Sequence, residues 1–316
     1  MIIDSHSHWL PEELILNAHF FSSAWGDIEA QLKKMDEAGI DRAVLSYPTS
    51  DAHLKLGGQD KVARIYNENV AQIIKRYPKR FTGAAILPVD KPDDMLDELK
   101  RATEEWGFQA VSLGSSYNGM YLDNEIFLPI YKETAAKNIP LFVHSQIVNP
   151  IGYERLQDPL LTPVIEYVFD ITVCIGRLLM SGVLRDYQNL KLIFAYFGGV
   201  ILHLTHRFDV TYDMLRGINF VKDLGARPTD YLKNIYVDTS GDVKKTNFLA
   251  ALELFGPGHI LWGSDWPAKK DIAGSIKAVE ELEISREDKK NILGGNLERL
   301  LKRGQNQFSF PQVLEK

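Results

Sequence analysis

A single cysteine, Cys174, is the only thiol in a chain of 316 residues. One thiol excludes an intrachain disulfide and a clustered thiolate site, so any metal chemistry must use nitrogen and oxygen donors. Long apolar runs are also missing. No stretch approaches the roughly 18 uninterrupted apolar residues of a membrane span. The opening Met1-Ile2-Ile3-Asp4 carries neither a basic nor an apolar leader segment. Positive charge is not in excess, with 36 Lys and Arg against 42 Asp and Glu, and the basic residues form no stripe. That balance argues against a nucleic-acid or anionic-membrane surface. A soluble cytoplasmic protein acting on a small molecule is the expectation. What the chain does have is core material: 45% of its residues are hydrophobic and 25% charged, enough for one large globular domain.

Short apolar runs rich in β-branched residues recur at 1–4, 41–46, 81–86, 109–113, 139–144, 190–196, 234–238 and 260–263. Between them lie segments with helical spacing at 27–39, 60–77, 93–107, 125–138, 163–184 and 242–255. Gly39 and Gly107 stand where helices should stop, and Asp93 and Ser285 where N-caps are expected. Strands alternating with helices predict parallel βαβ units, and eight of them predict a closed (β/α)8 barrel of the TIM type rather than an open doubly wound sheet. No glycine-rich dinucleotide fingerprint follows the first strand, which also disfavours the open sheet. A further helix is expected at 287–302 and a weakly patterned tail at 303–316. No linker divides the chain, so 1–316 reads as one domain.

The residues that carry chemistry fall at the ends of these strands. In Asp4-Ser5-His6-Ser7-His8, alternation along a strand puts both imidazoles on one face. His144 ends the fifth run and Asp265, in Gly263-Ser264-Asp265-Trp266-Pro267, ends the eighth. Singly, His144 reads as a core histidine and Asp265 as a turn residue before proline. Together, three histidines and a carboxylate at the mouth of one barrel predict a catalytic divalent ion with an open position. Aromatic residues Trp9, Phe20, Phe21, Trp25, Tyr47, Tyr117, Tyr153 and Trp266 lie in segments that should line that mouth. Trp9 and Trp266, each adjacent to an expected ligand, are the favoured substrate contacts, by stacking on a planar acid.

The Ile-Asp-x-His-x-His opening, His144, the run Asn189-Leu190-Lys191-Leu192-Ile193-Phe194-Ala195-Tyr196-Phe197-Gly198-Gly199 and Gly263-Ser264-Asp265-Trp266-Pro267 resemble the amidohydrolase superfamily. More narrowly they resemble its branch of aminocarboxymuconate semialdehyde decarboxylase and related aromatic-acid decarboxylases, over nearly the whole chain. The resemblance implies one ion, zinc or else manganese, held by His6, His8, His144 and Asp265. It also implies a homodimer in which Arg207 reaches the substrate carboxylate across the interface, as suits a planar guanidinium. A helix salt bridge with Asp209 or Asp213 is the other reading of Arg207. One position departs from the pattern. Relatives carry His-x-Gly-Gly after strand six, whereas here Tyr196 precedes Phe197-Gly198-Gly199. A phenol with a pKa near ~10 is a poor base and a good hydrogen-bond donor. His203 and His206 follow closely; they either replace the missing histidine or lie on a helix surface.

The reading that follows is non-oxidative decarboxylation of a small aromatic or conjugated carboxylic acid, with Asp265 as the acid and Tyr196 as hydrogen-bond donor to a substrate oxygen. The alternatives are metal-dependent hydrolysis or hydration of a lactone, ring C–C bond or enol acid, and a catalytically silent barrel.

Overall fold

The computed structural model describes residues 1–240 and 243–305, the last three by their backbone only. Eight parallel strands form one sheet: β1 Ile3–His8, β2 Arg42–Ser46, β3 Phe81–Ala85, β4 Ala110–Gly114, β5 Leu141–His144, β6 Leu192–Phe194, β7 Tyr236–Asp238 and β8 Ile260–Leu261. Each strand pairs with its neighbours in sequence. The last is brought back to the first by a parallel bridge between Ser7 and Trp266 and by Ser5 N–H to Trp262 O at 3.0 Å. The sheet therefore closes into the expected (β/α)8 barrel, and every strand end points to one mouth.

Helices follow each strand: α1 Ile28–Ala38, α2 Gln59–Arg76, α3 Met95–Lys100, α4 Leu128–Lys137, α5 Tyr167–Ser181, α6 Thr205–Gly217, α7 Lys245–Phe255 and α8 Ile272–Glu280, with α9 Asn296–Gln305 at the end. Local chemistry explains their limits. The Asp27 carboxylate accepts from Ala30 N–H at the start of α1, and left-handed Gly39 ends it. Ser285 caps the short helix Arg286–Lys290. Asp93 does not act as the expected cap. It lies inside a 3-10 turn, Pro92–Asp94, and makes no capping hydrogen bond.

The barrel interior is a layer built from every strand. Ile3, Val44, Ala84, Ala110, Phe142, Ile193 and Leu261 are buried together, with Tyr236 half-buried beside them. Leu297, Leu300 and Leu301 of α9 pack against this layer. The preceding turn lies so close to β1 that a Cβ at Gly294 would come within 2.9 Å of the Met1 carbonyl. The helix beyond the eighth unit therefore seals the end of the barrel opposite the mouth. Of the tail at 303–316, residues 303–305 continue α9 and the rest lie outside the described residues, as does Asp242. No helix among the described residues is long and apolar enough to cross a membrane.

Strand six is shorter than expected and ends before Tyr196. Tyr196 and Phe197 have φ of 57° and 53°, and Gly198 and Gly199 continue at 75° and 70°. Positive φ is costly for the two aromatic residues, and such strain collects at functional sites. Close docking on α5 sustains the turn: a Cβ at Gly199 would run into the Val168 carbonyl and the Thr172 hydroxyl. The Thr172 hydroxyl also accepts from Val200 N–H at 2.9 Å.

Candidate metal centre and active site

His6 and His8 leave β1 on the same side and meet with their Nε2 atoms 3.0 Å apart. His144, at the end of β5, completes a buried trio whose donor atoms all lie within 4.8 Å of one another. The Asp265 Oδ1 sits 3.7 Å from His6 Nε2 and 3.5 Å from His8 Nε2. An ion with ~2.1 Å bonds separates tetrahedral ligands by roughly 3.4 Å, which the 3.0, 3.5 and 3.7 Å separations among His6, His8 and Asp265 match.

The outward nitrogens make the trio a donor set rather than a chance meeting. His8 Nδ1 lies 3.0 Å from the Ser46 carbonyl and His144 Nδ1 lies 2.9 Å from the Ser145 carbonyl. A carbonyl only accepts, so each Nδ1 carries the proton and each Nε2 presents a lone pair inward. His6 Nδ1 is 2.8 Å from Asp238 Oδ2. Three imidazole Nε2 atoms and a carboxylate oxygen thus face one another, and an ion would take the place of the proton that His6 holds without it. The electrostatics set His6, which without an ion is held protonated by its carboxylate neighbours, apart from the other two. Burial presses the His6 imidazole down, but Asp238, Asp265 and Asp4 outweigh it and bring it up to about 9. Burial would raise the Asp265 carboxyl, but His8, His6 and His144 bring it down to about 2. Burial, reinforced for His144 by its neighbours His8 and His6, holds His8 and His144 below the usual range and so neutral, the form a metal ligand needs.

Asp238 was missed in the sequence, although it ends β7 and the strand-end rule that selected His144 and Asp265 applies to it equally. Its Oδ1 accepts from Ser240 N–H at 3.0 Å and also from the Ser240 hydroxyl, so its grip on His6 is fixed. Replacing Asp238 by alanine is expected to weaken metal affinity about 10–100-fold. Titration against a chelating dye measures this, and an unchanged affinity removes Asp238 from the role.

A cavity of about 1000 Å³ opens above the trio, lined by His8, His144, Asp265 and Tyr196 at its inner end. Tyr196 OH lies 3.0 Å from His144 Nε2, and burial followed by the charge of Asp265 pushes its phenol well above its usual range. Of the aromatic residues expected at the mouth, Phe20, Phe21, Trp25 and Tyr153 line the cavity. Trp25 stacks on His8, with ring centres 5.7 Å apart. Tyr47 and Tyr117 are buried in the core instead. Trp9 and Trp266 do not line the cavity: Trp9 donates to the Gly26 carbonyl at 2.9 Å, and Trp266 is buried in the core. Before Trp266 the chain has left the extended path, since Asp265 has a φ of 60°; for Trp9 the reason is the alternation that placed His6 and His8. A residue next to an inward ligand points away from it.

Arg207 is exposed on α6 and does not line the cavity of its own chain. Its alternative partners are engaged elsewhere, Asp213 by Arg227 at 2.8 Å and Asp209 by the Thr229 hydroxyl at 2.6 Å. His203, exposed in the 3-10 turn Ile201–His203, reaches the cavity lining, whereas His206 is exposed on α6.

Comparison with known proteins places this geometry in a wider group. The chain is 28% identical over 327 residues to gamma-resorcylate decarboxylase of Polaromonas sp., covering 93% of this chain and 96% of that protein. It is 26% identical over 296 residues to 2-amino-3-carboxymuconate-6-semialdehyde decarboxylase of Dictyostelium discoideum, covering 90% of this chain and 80% of that protein. The solved dihydroxybenzoic acid decarboxylase from Polaromonas sp., with bound manganese and the inhibitor 2-nitroresorcinol, superposes with a TM-score of 0.83 at 25% identity. That match covers 96% of this chain and 97% of that one. The family described as "Amidohydrolase" matches residues 3–303, and the chain belongs to it.

Proposed function

We propose that the protein is a divalent-metal-dependent decarboxylase that removes a carboxyl group, without oxidation, from a small aromatic or conjugated carboxylic acid. The observation that carries this reading is the convergence of three imidazoles and the Asp265 carboxylate at the inner end of the cavity. Similarity to decarboxylases over most of the chain supports it. His6, His8, His144 and Asp265 would hold the ion, which is zinc in this reading and manganese in the nearest variant of it. When bound, the ion supplies Lewis-acid polarisation and a template for the substrate carboxylate and an adjacent oxygen.

The chain's own groups do the rest. Losing CO2 leaves an electron pair on the ring carbon, and a proton must arrive there. Asp265 lines the inner end of the cavity, and its carboxyl is held down to about 2 and so starts ionised. It must first take a proton from a substrate hydroxyl and then deliver it to the carbon as the C–C bond breaks. Tyr196 keeps its proton and donates a hydrogen bond to the substrate oxygen on which charge develops. Trp25, stacked on His8, presents a flat face to the ring.

A homodimer is part of the proposal. Val210, Met214 and Ile218 are 53%, 61% and 69% exposed and lie with Arg207 at helical spacing along α6 and just past its end. Such a stripe suits a second copy, whose cavity Arg207 would enter. Sedimentation of the purified chain as a monomer removes that part. The reaction itself is tested by incubating metal-loaded protein with a panel of hydroxybenzoates and muconate-type acids. CO2 release from at least one is expected. No release from any, with bound metal verified, overturns the reading, and incorporation of solvent oxygen into a product assigns hydrolysis or hydration instead.

A further inference from the structure

The three imidazoles of the centre are held from behind in three different ways. His6 Nδ1 meets the Asp238 carboxylate directly, and His8 Nδ1 meets the Ser46 carbonyl. His144 Nδ1 meets the Ser145 carbonyl at 2.9 Å, and the N–H of that same peptide, Gln146 N–H, donates to the Ser115 hydroxyl oxygen at 2.9 Å. The Ser115 hydroxyl donates in turn to Asp170 Oδ2. A carboxylate therefore stands behind His144 as Asp238 stands behind His6, but through a serine and a peptide group. The peptide behind His8 also reaches a serine, since Tyr47 N–H donates to Ser112 Oγ at 3.2 Å. That hydroxyl turns to the Tyr47 carbonyl at 3.3 Å instead of to a charge. Ser115 sits just after β4, and its own N–H donates to the His144 carbonyl at 2.7 Å, so it grips the chain on both sides of Ser145. Asp170 lies on α5, and its other partners are donors too: the Ser116 hydroxyl, Tyr121 OH at 2.9 Å and Ile151 N–H at 3.1 Å. Ser115, Ser145, Gln146 and Asp170 are each no more than 1% exposed. In such a dry interior each hydrogen bond of a chain polarises the next, and a firmly held Nδ1 proton makes Nε2 the better donor to an ion.

We propose that Asp170 and Ser115 are positioning residues of the metal centre, fixing and polarising the Ser145–Gln146 peptide that holds His144. The inference rests on the reading of His144 as a metal ligand. The test uses the full-length chain, with native circular dichroism verified. It measures zinc affinity by chelator competition and the visible d–d bands of cobalt-loaded protein. Ser115→Ala breaks the chain of bonds at its middle, and Asp170→Asn removes its charge while keeping its volume. Each should weaken zinc binding about tenfold, the lower end of what a partner behind a ligating histidine contributes, and shift the cobalt bands. Tyr121→Phe takes a different donor from Asp170 and lies outside the chain, so it should leave both readings at their wild-type values. Ser115→Cys keeps a weak donor of similar size and should weaken zinc binding by a smaller factor. It carries the test where the other two variants do not fold. Unchanged zinc affinity and cobalt bands in the folded Ser115 and Asp170 variants overturn the proposal. An equal loss in Tyr121→Phe also overturns it, because Asp170 then acts only as an anchor for the surrounding loops. A wild type that binds neither zinc nor cobalt overturns the ligand reading and this proposal with it.

Discussion

Replacing His8 by alanine is expected to reduce bound metal from about one equivalent to a small residue and to lower CO2 release by ~10³-fold or more, about 4 kcal/mol of transition-state stabilisation. His8 is 1% exposed, and its Nδ1 proton is tied to the Ser46 carbonyl on β2, so its Nε2 lone pair is fixed toward His6 and Asp265. Asp265→Asn separates two roles that the geometry superimposes. Asparagine keeps the volume and one oxygen but loses the charge and the ability to carry a proton to carbon. The variant should bind metal more weakly, yet when saturated with zinc or manganese it should remain inactive. Metal analysis, circular dichroism and CO2 assays on both variants, with a chelator-stripped and reloaded wild type alongside, decide the matter. Full activity in protein shown to contain no metal sinks the ion assignment, and an active metal-loaded Asp265→Asn sinks its role as the acid.

The parts legible in the sequence were those governed by local periodicity. The eight apolar runs are the eight barrel strands, and Gly39 and Ser285 cap where their chemistry says they should. His6, His8, His144 and Asp265 meet because they share the ends of strands that a closed barrel must bring to one mouth. What escaped was set by contacts distant in sequence. Helix α6 shows weak amphipathic signal because Val210 and Met214 face outward instead of into the core. The small hairpin of Ser116–Tyr117 and Met120–Tyr121 is too short to leave a pattern. Trp25 was expected at the mouth and lines the cavity, but its stacking on His8 comes from a 3-10 turn, Ser23–Gly26, whose position no strand rule fixes. Trp9 and Trp266 neighbour ligands in sequence, but adjacency along an extended chain turns Trp9 away, and the left-handed backbone of Asp265 redirects the chain before Trp266. The left-handed run from Tyr196 to Gly199 depends on Val168 and Thr172 of α5, which only the folded chain puts beside it.

That run leads to the second large effect. Tyr196→Phe is expected to lower kcat for CO2 release by about 10²–10³-fold, the cost of removing one donor aimed at developing charge, with metal content nearly unchanged. The phenol sits 3.0 Å from His144 Nε2, and since His144 Nδ1 donates to the Ser145 carbonyl, Tyr196 must be the donor in that contact. The same lone pair is the one His144 offers to an ion. Once it is a metal ligand, the phenol keeps a proton and loses its acceptor. A substrate oxygen over the site then replaces it. Burial and the nearby Asp265 keep the phenol protonated through the neutral range, so the donor is available at every working pH. Phenylalanine preserves the ring and its packing on the strained turn but has nothing to donate. A histidine at this position tests the chemistry in the other direction. It is a smaller ring that titrates near neutrality, so Tyr196→His should recover part of the lost rate and introduce a pH dependence between roughly 5 and 8 that the tyrosine enzyme lacks. If Tyr196→Phe instead raises KM with kcat unchanged, Tyr196 contributes uniform binding and not transition-state stabilisation. If it strips the metal, the residue is part of the ion's support and the donor role is lost.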